Sequence, residues 1–194
     1  MHDGSGEVAR SRWARPPGWA LAAFTALVGG VWIYAESKLG GDMFLGFAVL
    51  LGIAIAGLTW FVRTVLALSH RRAWSPMFLV APLIGAVTVA TVWLGVPFQA
   101  RWALARPAFE RAAQATLSGE LPQHDRRRIG GFEVSPSITD GTVRFMMWGS
   151  GGLMDIHYLV YAPDGTTVRA HGEHPDRNTV EHIDGPWWHV MEIF

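Results

Sequence analysis

The sequence predicts a membrane α-helical protein with three transmembrane helices, followed by a small α+β domain built on a mostly antiparallel sheet. Three observations carry this expectation. Residues 18–35, 43–62 and 73–100 contain no Asp, Glu, Lys or Arg, although these make up 16% of the chain. Beyond residue 131 the apolar residues change to period-two alternation. Between these regions the composition shifts sharply, and residues 101–194 hold nine arginines, twelve acids and six of the eight histidines.

A membrane helix needs about 20 mostly apolar residues to cross a hydrocarbon core of roughly 30 Å. The expected organisation is a cytoplasmic tail at 1–17, a three-helix region at 18–100 with spans near 18–35, 43–62 and 77–96, and an extracytoplasmic domain at 101–194. Ser75-Pro76 reads as N-cap and first helical position of the third span, and Pro82 as a site of kinking. The first span also suits a signal peptide, with Arg10, Arg12 and Arg15 before it. Ile33-Tyr34-Ala35 makes a poor small-x-small cleavage site, which favours a retained helix. Trp19, Trp32, Tyr34, Trp60, Trp74, Trp93 and Trp102 fall near span ends, where amphipathic rings anchor at the headgroups.

Orientation follows from the arginines. Arg10, Arg12 and Arg15 precede the first span, and Arg63, Arg71 and Arg72 lie around the second connection. Positively charged flanks stay inside, so the N-terminus is expected in the cytoplasm of a bacterial cell and the last 94 residues outside the cell membrane. Ionisable groups inside spans mark proton and ion paths; their absence here argues against a pump or ion-coupled transporter. Ala22, Ala26 and Gly30, and again Ala48, Gly52 and Ala56, repeat small residues at four-residue spacing, which lets helices approach closely. That pattern suits packing within the three helices or a homo-oligomer.

In the C-terminal part, Arg106–Ser118 reads as a helix with Phe109, Ala112, Ala113 and Leu117 along one face, stopped by Gly119. The run Arg126-Arg127-Arg128 reads as a solvated loop. Strands are expected at Phe132–Val134, Thr142–Trp148, Leu153–Tyr161, Thr166–Ala170 and Trp188–Phe194, with Ala162-Pro163-Asp164-Gly165 as a turn. The result is one helix against four or five strands.

The stretches "RFMMWGSGGLMDIHYLVYAPDG" and "GPWWHVMEIF" resemble the C-terminal part of small actinobacterial-type membrane proteins with an extracytoplasmic domain. The resemblance covers roughly residues 142–194 and rests on common residue types. It implies an envelope location and transfers no catalytic residues.

Several function classes are disfavoured. A formal net charge of zero gives no reason to expect a nucleic-acid partner. The absence of cysteine excludes disulfides and thiolate chemistry. Gly149-Ser150-Gly151-Gly152 lacks the glycine two before serine that a nucleophile elbow needs, and it lacks a Walker lysine. The best candidate chemistry is "HGEHPDRNTVEH", residues 171–182. His171, Glu173, His174 and His182 offer imidazole and carboxylate ligands of the kind zinc takes, although no zinc-motif spacing is present. The same stretch also suits a pH-responsive cluster or a polar loop, as Pro175 and Asn178 suggest. Asp155 and His157 are expected on opposite faces of their strand, and His189 on the sheet surface beside Trp188. The leading expectation is a non-enzymatic membrane protein displaying a domain for an envelope partner or ligand, in contact with the lipid bilayer and with a membrane protein or second copy as further partners. The alternative is a zinc-binding protein or metal-dependent enzyme.

Overall fold

The computed structural model describes residues 18–69, 75–163 and 166–194. Arg10, Arg12, Arg15, Arg71, Arg72, Trp74 and the Asp164-Gly165 half of the expected turn lie outside these residues. The chain divides into a helical unit, drawn from residues before 36 and from 44–96, and a sheet unit of residues 36–43 and 97–194.

Among the described residues there are four α-helices: α1 (Trp19–Glu36), α2 (Met43–Ser69), α3 (Met77–Trp93) and α4 (Val96–Leu117). Helices α1 and α2 are each long and apolar enough to cross a membrane, and a third crossing results if α3 and α4 form one broken span. The second span therefore runs past residue 62 to Ser69. The third helix begins beside the expected cap, with the Met77 N–H 3.4 Å from the Ser75 hydroxyl.

In the helical unit the buried positions are mostly small, while Leu27, Phe47, Leu51, Leu58 and Leu83 are exposed. This inverts the usual partition of a soluble bundle and suits hydrocarbon solvent. A Cβ on Gly52 would lie 2.7 Å from the Val28 side chain, and one on Gly29 only 2.6 Å from Thr88 Oγ1. Backbone contact of this kind needs glycine. The expected small-residue stripe is only half used: Ala22, Gly52 and Ala56 are buried, whereas Ala26, Gly30 and Ala48 are exposed. Gly29 takes the place of Gly30 because Ala22 and Gly29 lie seven residues, nearly two turns, apart.

Pro82 sits inside α3 and cannot supply the N–H that would bond the Phe78 carbonyl. Trp60 of α2 supplies one instead, its Nε1–H donating to Phe78 O at 2.8 Å. The indole expected to serve as an interfacial anchor thus repairs a broken helical ladder. An apolar groove of about 360 Å³ beside it is lined by residues including Trp32, Ile53, Trp60 and Val89.

The sheet unit contains β1 (Arg127–Ile129), β2 (Phe132–Thr139), β3 (Thr142–Met147), β4 (Asp155–Tyr161), β5 (Thr179–Asp184) and β6 (Trp187–Ile193). They form one antiparallel sheet in the order β1-β2-β3-β4-β6-β5. Two-residue connections, Gly130-Gly131 and Asp140-Gly141, all at positive φ, join the first three strands. Such primed turns match the right-handed twist of a hairpin.

Helix α4 covers one face. Its buried residues Trp102, Ala105, Phe109, Ala113 and Thr116 recur every three or four positions and form a single stripe. Phe109 meets the Phe145 ring edge-on at 5.2 Å, and Trp102 meets Trp187 likewise at 5.2 Å. Val134, Val143, Phe145, Leu159 and Trp187 complete this core.

Several expectations are corrected. Helix α4 starts at Val96 rather than Arg106, and Trp102 is buried in the core instead of anchoring at a membrane surface. The basic run is a strand edge: Arg126 pairs with Glu133 and lies 4.8 Å over the Trp148 ring, Arg127 reaches Asp125 at 3.5 Å, and Arg128 reaches Glu133 at 3.5 Å. Residues 166–170 form no strand, and Thr179–Asp184, expected to end a loop, form β5. The sheet has six strands, not four or five.

Candidate functional site

Strands β4 and β6 pair with His157 opposite Met191, Leu159 opposite His189 and Asp155 opposite Ile193. Alternation places every second residue of a strand on one face. Asp155 and His157, two apart, therefore share a face with Leu159, and the expectation of opposite faces was an error of period. His189, directly opposite Leu159, points to that same face. It is half-buried and does not sit on the outer surface with Trp188.

The outcome is a chain of four ionisable groups drawn from three strands. His157 Nε2 lies 2.8 Å from Asp155 Oδ2, and His157 Nδ1 lies 2.8 Å from His189 Nε2. His189 Nδ1 faces Glu181 Oε2 of β5 at 3.6 Å. The imidazole planes are nearly parallel, 15° apart. Side-chain exposure is lowest at His157, 4%, and rises toward both ends, to 24% at Asp155 and through 15% at His189 to 70% at Glu181.

The segment between α1 and α2 roofs this chain. A Cβ on Gly40 would overlap the His157 imidazole, and Gly40 has φ +79, so both space and backbone require glycine here. The segment is fastened on both sides of Gly40. Leu39 is buried in the core, Gly151 N–H donates to Gly41 O at 3.2 Å, and Lys38 Nζ donates to Gly149 O at 3.2 Å. Lys38 and Asp42, the charged groups nearest in that segment, pair with each other at 2.6 Å. Arg101 of α4 reaches Ser37 Oγ at 3.1 Å.

Proton accounting limits what the chain can do. One N–H fits between rings whose nitrogens are 2.8 Å apart, so the pair holds at most three N–H groups without breaking that contact. Two protons serve Asp155 and the ring–ring contact. A third, on His189 Nδ1, would serve Glu181, and a fourth would set N–H against N–H. The His189 pKa is lowered from its ordinary 6.5, first by burial and then by His157, with Glu181 opposing. Because both nitrogens of His157 are engaged by neighbours, the four groups form a line and do not converge on a point.

On the opposite face, Arg144 and Glu192 form a buried ion pair at 2.5 Å. Glu192 also accepts the His171 backbone N–H at 2.7 Å, and Arg144 lies 4.3 Å over the Tyr158 ring. Burial, and then the Glu192 charge, raises the Tyr158 hydroxyl above its usual range, with Arg144 opposing. This cluster straps residues 171–178 across the sheet, since Asn178 Oδ1 also accepts the Ile193 N–H at 2.9 Å.

The expected metal ligands are separated by that arrangement. His171 Nε2 reaches Asp140 at 3.3 Å, and His182 Nε2 bonds Gly185 O at 2.8 Å while its ring meets Trp188 edge-on. His174 lends its carbonyl to a single 3₁₀ turn, and Glu173 is exposed. Among the described residues no group of three or more His, Cys, Asp or Glu side chains is placed to hold a metal ion.

Comparison with protein-family models, curated proteins and solved structures finds no match to this chain.

Proposed function

We propose that this is a multi-pass bacterial membrane protein, N-terminus in the cytoplasm, that carries its six-stranded unit on the outer face of the membrane for an envelope partner or ligand. One observation supports this most. The connection between α1 and α2 is built into the sheet unit through Leu39, Gly41 and Lys38. Connection and sheet then lie on one side of the bilayer, which requires an even number of crossings between them. Helix α2 alone gives one crossing, so the α3 region supplies the second. The arginines at 10–15 and 63–72 favour the side that puts the sheet outside. Reporter fusions after Gly41, His70 and Phe194 test this, with outside, inside and outside expected. An inside signal after Phe194 would overturn it.

The linear Asp155–His157–His189–Glu181 chain favours a second, compatible role as a proton-responsive fastening for the Gly40 segment. Acidification loads a pair that tolerates few protons, beneath the turn that ties the connection to the sheet. Amide exchange at Gly151 in the full chain, compared at pH 7.5 and about 5, tests it. After correction for the intrinsic slowing of amide exchange at lower pH, a smaller protection factor is expected at low pH, and equal protection would overturn it.

A further inference from the structure

We infer that the turn following β3, with Phe194 beside it, is a membrane-wetted tip: Leu153, Met154 and Phe194 rest among the lipid headgroups and upper acyl chains of the outer leaflet. This rests on the membrane topology proposed above. The three side chains are 80%, 70% and 54% exposed, the first two among the most exposed large apolar groups of the sheet unit. They are neighbours, since the Phe194 N–H donates to Met154 O at 3.1 Å.

Their position decides the partner. Asp42 forms a parallel bridge with Gly151, and Gly41 O accepts the Gly151 N–H. Asp42 immediately precedes Met43, the first residue of α2. Bridged backbones lie about 5 Å apart, and two residues extend at most about 7 Å. Leu153 is therefore within about 16 Å of Met43, where α2 begins. Lipid headgroups form a layer roughly 5–8 Å thick on each side of a bilayer, and the bridge ties this turn to the residue that precedes α2, a candidate span. Water is the wrong solvent for Leu153 and Met154, and lipid is within reach.

The turn is also stiff enough to hold them there. Gly152 N–H donates to Asp155 Oδ1 at 2.6 Å, Ser150 Oγ bonds Met147 O at 3.3 Å, and Lys38 bonds Gly149 O. A Cβ on Gly151 would lie 2.6 Å from the His157 ring, so the turn packs directly against that histidine.

The chain has no cysteine, so single-site labelling of the full-length protein is clean. Nitroxide labels on L153C, M154C, E120C and L51C, in bilayer nanodiscs, are compared for collision with oxygen, which partitions into lipid, and with a water-soluble nickel chelate. L51C on exposed α2 reports the span and E120C reports solvent. The expected result is an oxygen-to-nickel ratio at 153 and 154 severalfold above that at 120 and approaching that at 51. Solvent-like values at 153 and 154 with a lipid value at 51 would overturn the inference while leaving the spans intact. Shielding from both probes would indicate a protein contact and would also overturn it. A solvent-like value at 51 would remove the topology beneath it.

Discussion

Trp60→Phe isolates a single bond in the helical unit. The change keeps an aromatic ring in the groove and deletes the Nε1–H that donates to Phe78 O at 2.8 Å. That carbonyl has lost its ordinary helical donor because residue 82 is proline. Hydrogen bonds between helices in lipid contribute about 1 kcal/mol, with wide scatter, and a loss near that size is expected in an unfolding equilibrium in bicelles. The size alone does not establish the cause, since Trp→Phe also removes ring atoms. The decisive variant is Pro82→Ala, which gives residue 82 an N–H aimed at the same carbonyl. In that background Trp60→Phe should cost markedly less, leaving a coupling energy of about 0.5–1 kcal/mol in the double-mutant cycle. Equal costs in both backgrounds would refute the repair of α3 by Trp60.

Three further outcomes are expected. A lowered His189 pKa means that the unfolded chain takes up a proton more readily than the folded one. Its contribution to stability is therefore full above about pH 6.5 and falls as pH drops through the lowered value; denaturant titrations should show this slope in the wild type and a flatter one in His189→Gln. Arg144→Ala leaves Glu192 buried without its guanidinium, so a loss of about 3–5 kcal/mol is expected by the same titration, and a loss under 1 kcal/mol would contradict the burial of the pair. Gly40→Ala must place a Cβ against His157 at positive φ, a backbone cost of about 1–2 kcal/mol before any clash; amide exchange at Gly151 should accelerate while exchange within β2 and β3 stays slow.

How much of this was legible in the sequence depends on the range of the interaction. Uncharged runs located α1, α2 and α3, because length and apolarity are read residue by residue and need no long-range contact. The hairpin of β2 and β3 is half legible: its Asp140-Gly141 turn is a strong signal for a primed hairpin, and β2 runs to Thr139, beyond the expected end at Val134. Strand β5 was missed for a different reason. Thr179–Asp184 is an edge strand with exposed residues on both faces, so it lacks the alternation that reveals a half-buried strand. Candidate chemistry has the same limit. Residues 171–182 are dense in possible ligands, but density along the chain is not proximity in space, and the strap to Glu192 holds His171 apart from His182.

The histidines that do meet, His157 and His189, are 32 residues apart and join only because β6 inserts between β4 and β5. Neither strand announces the pairing: His189 interrupts an otherwise apolar face of β6, and His157 shares its face of β4 with Asp155, Leu159 and Tyr161. What singles them out is the cost of their position. A buried imidazole must have its nitrogens satisfied, and His157 has both engaged, one by the next strand and one by Asp155 two residues away. The glycine that closes over it comes from residues 36–43, between two long apolar helices, a segment whose sequence gives no sign of belonging to a sheet. The same contact therefore bears on topology and on proton sensitivity, and a perturbation of Gly40 should register at His157 before it registers in the aromatic core around Phe109.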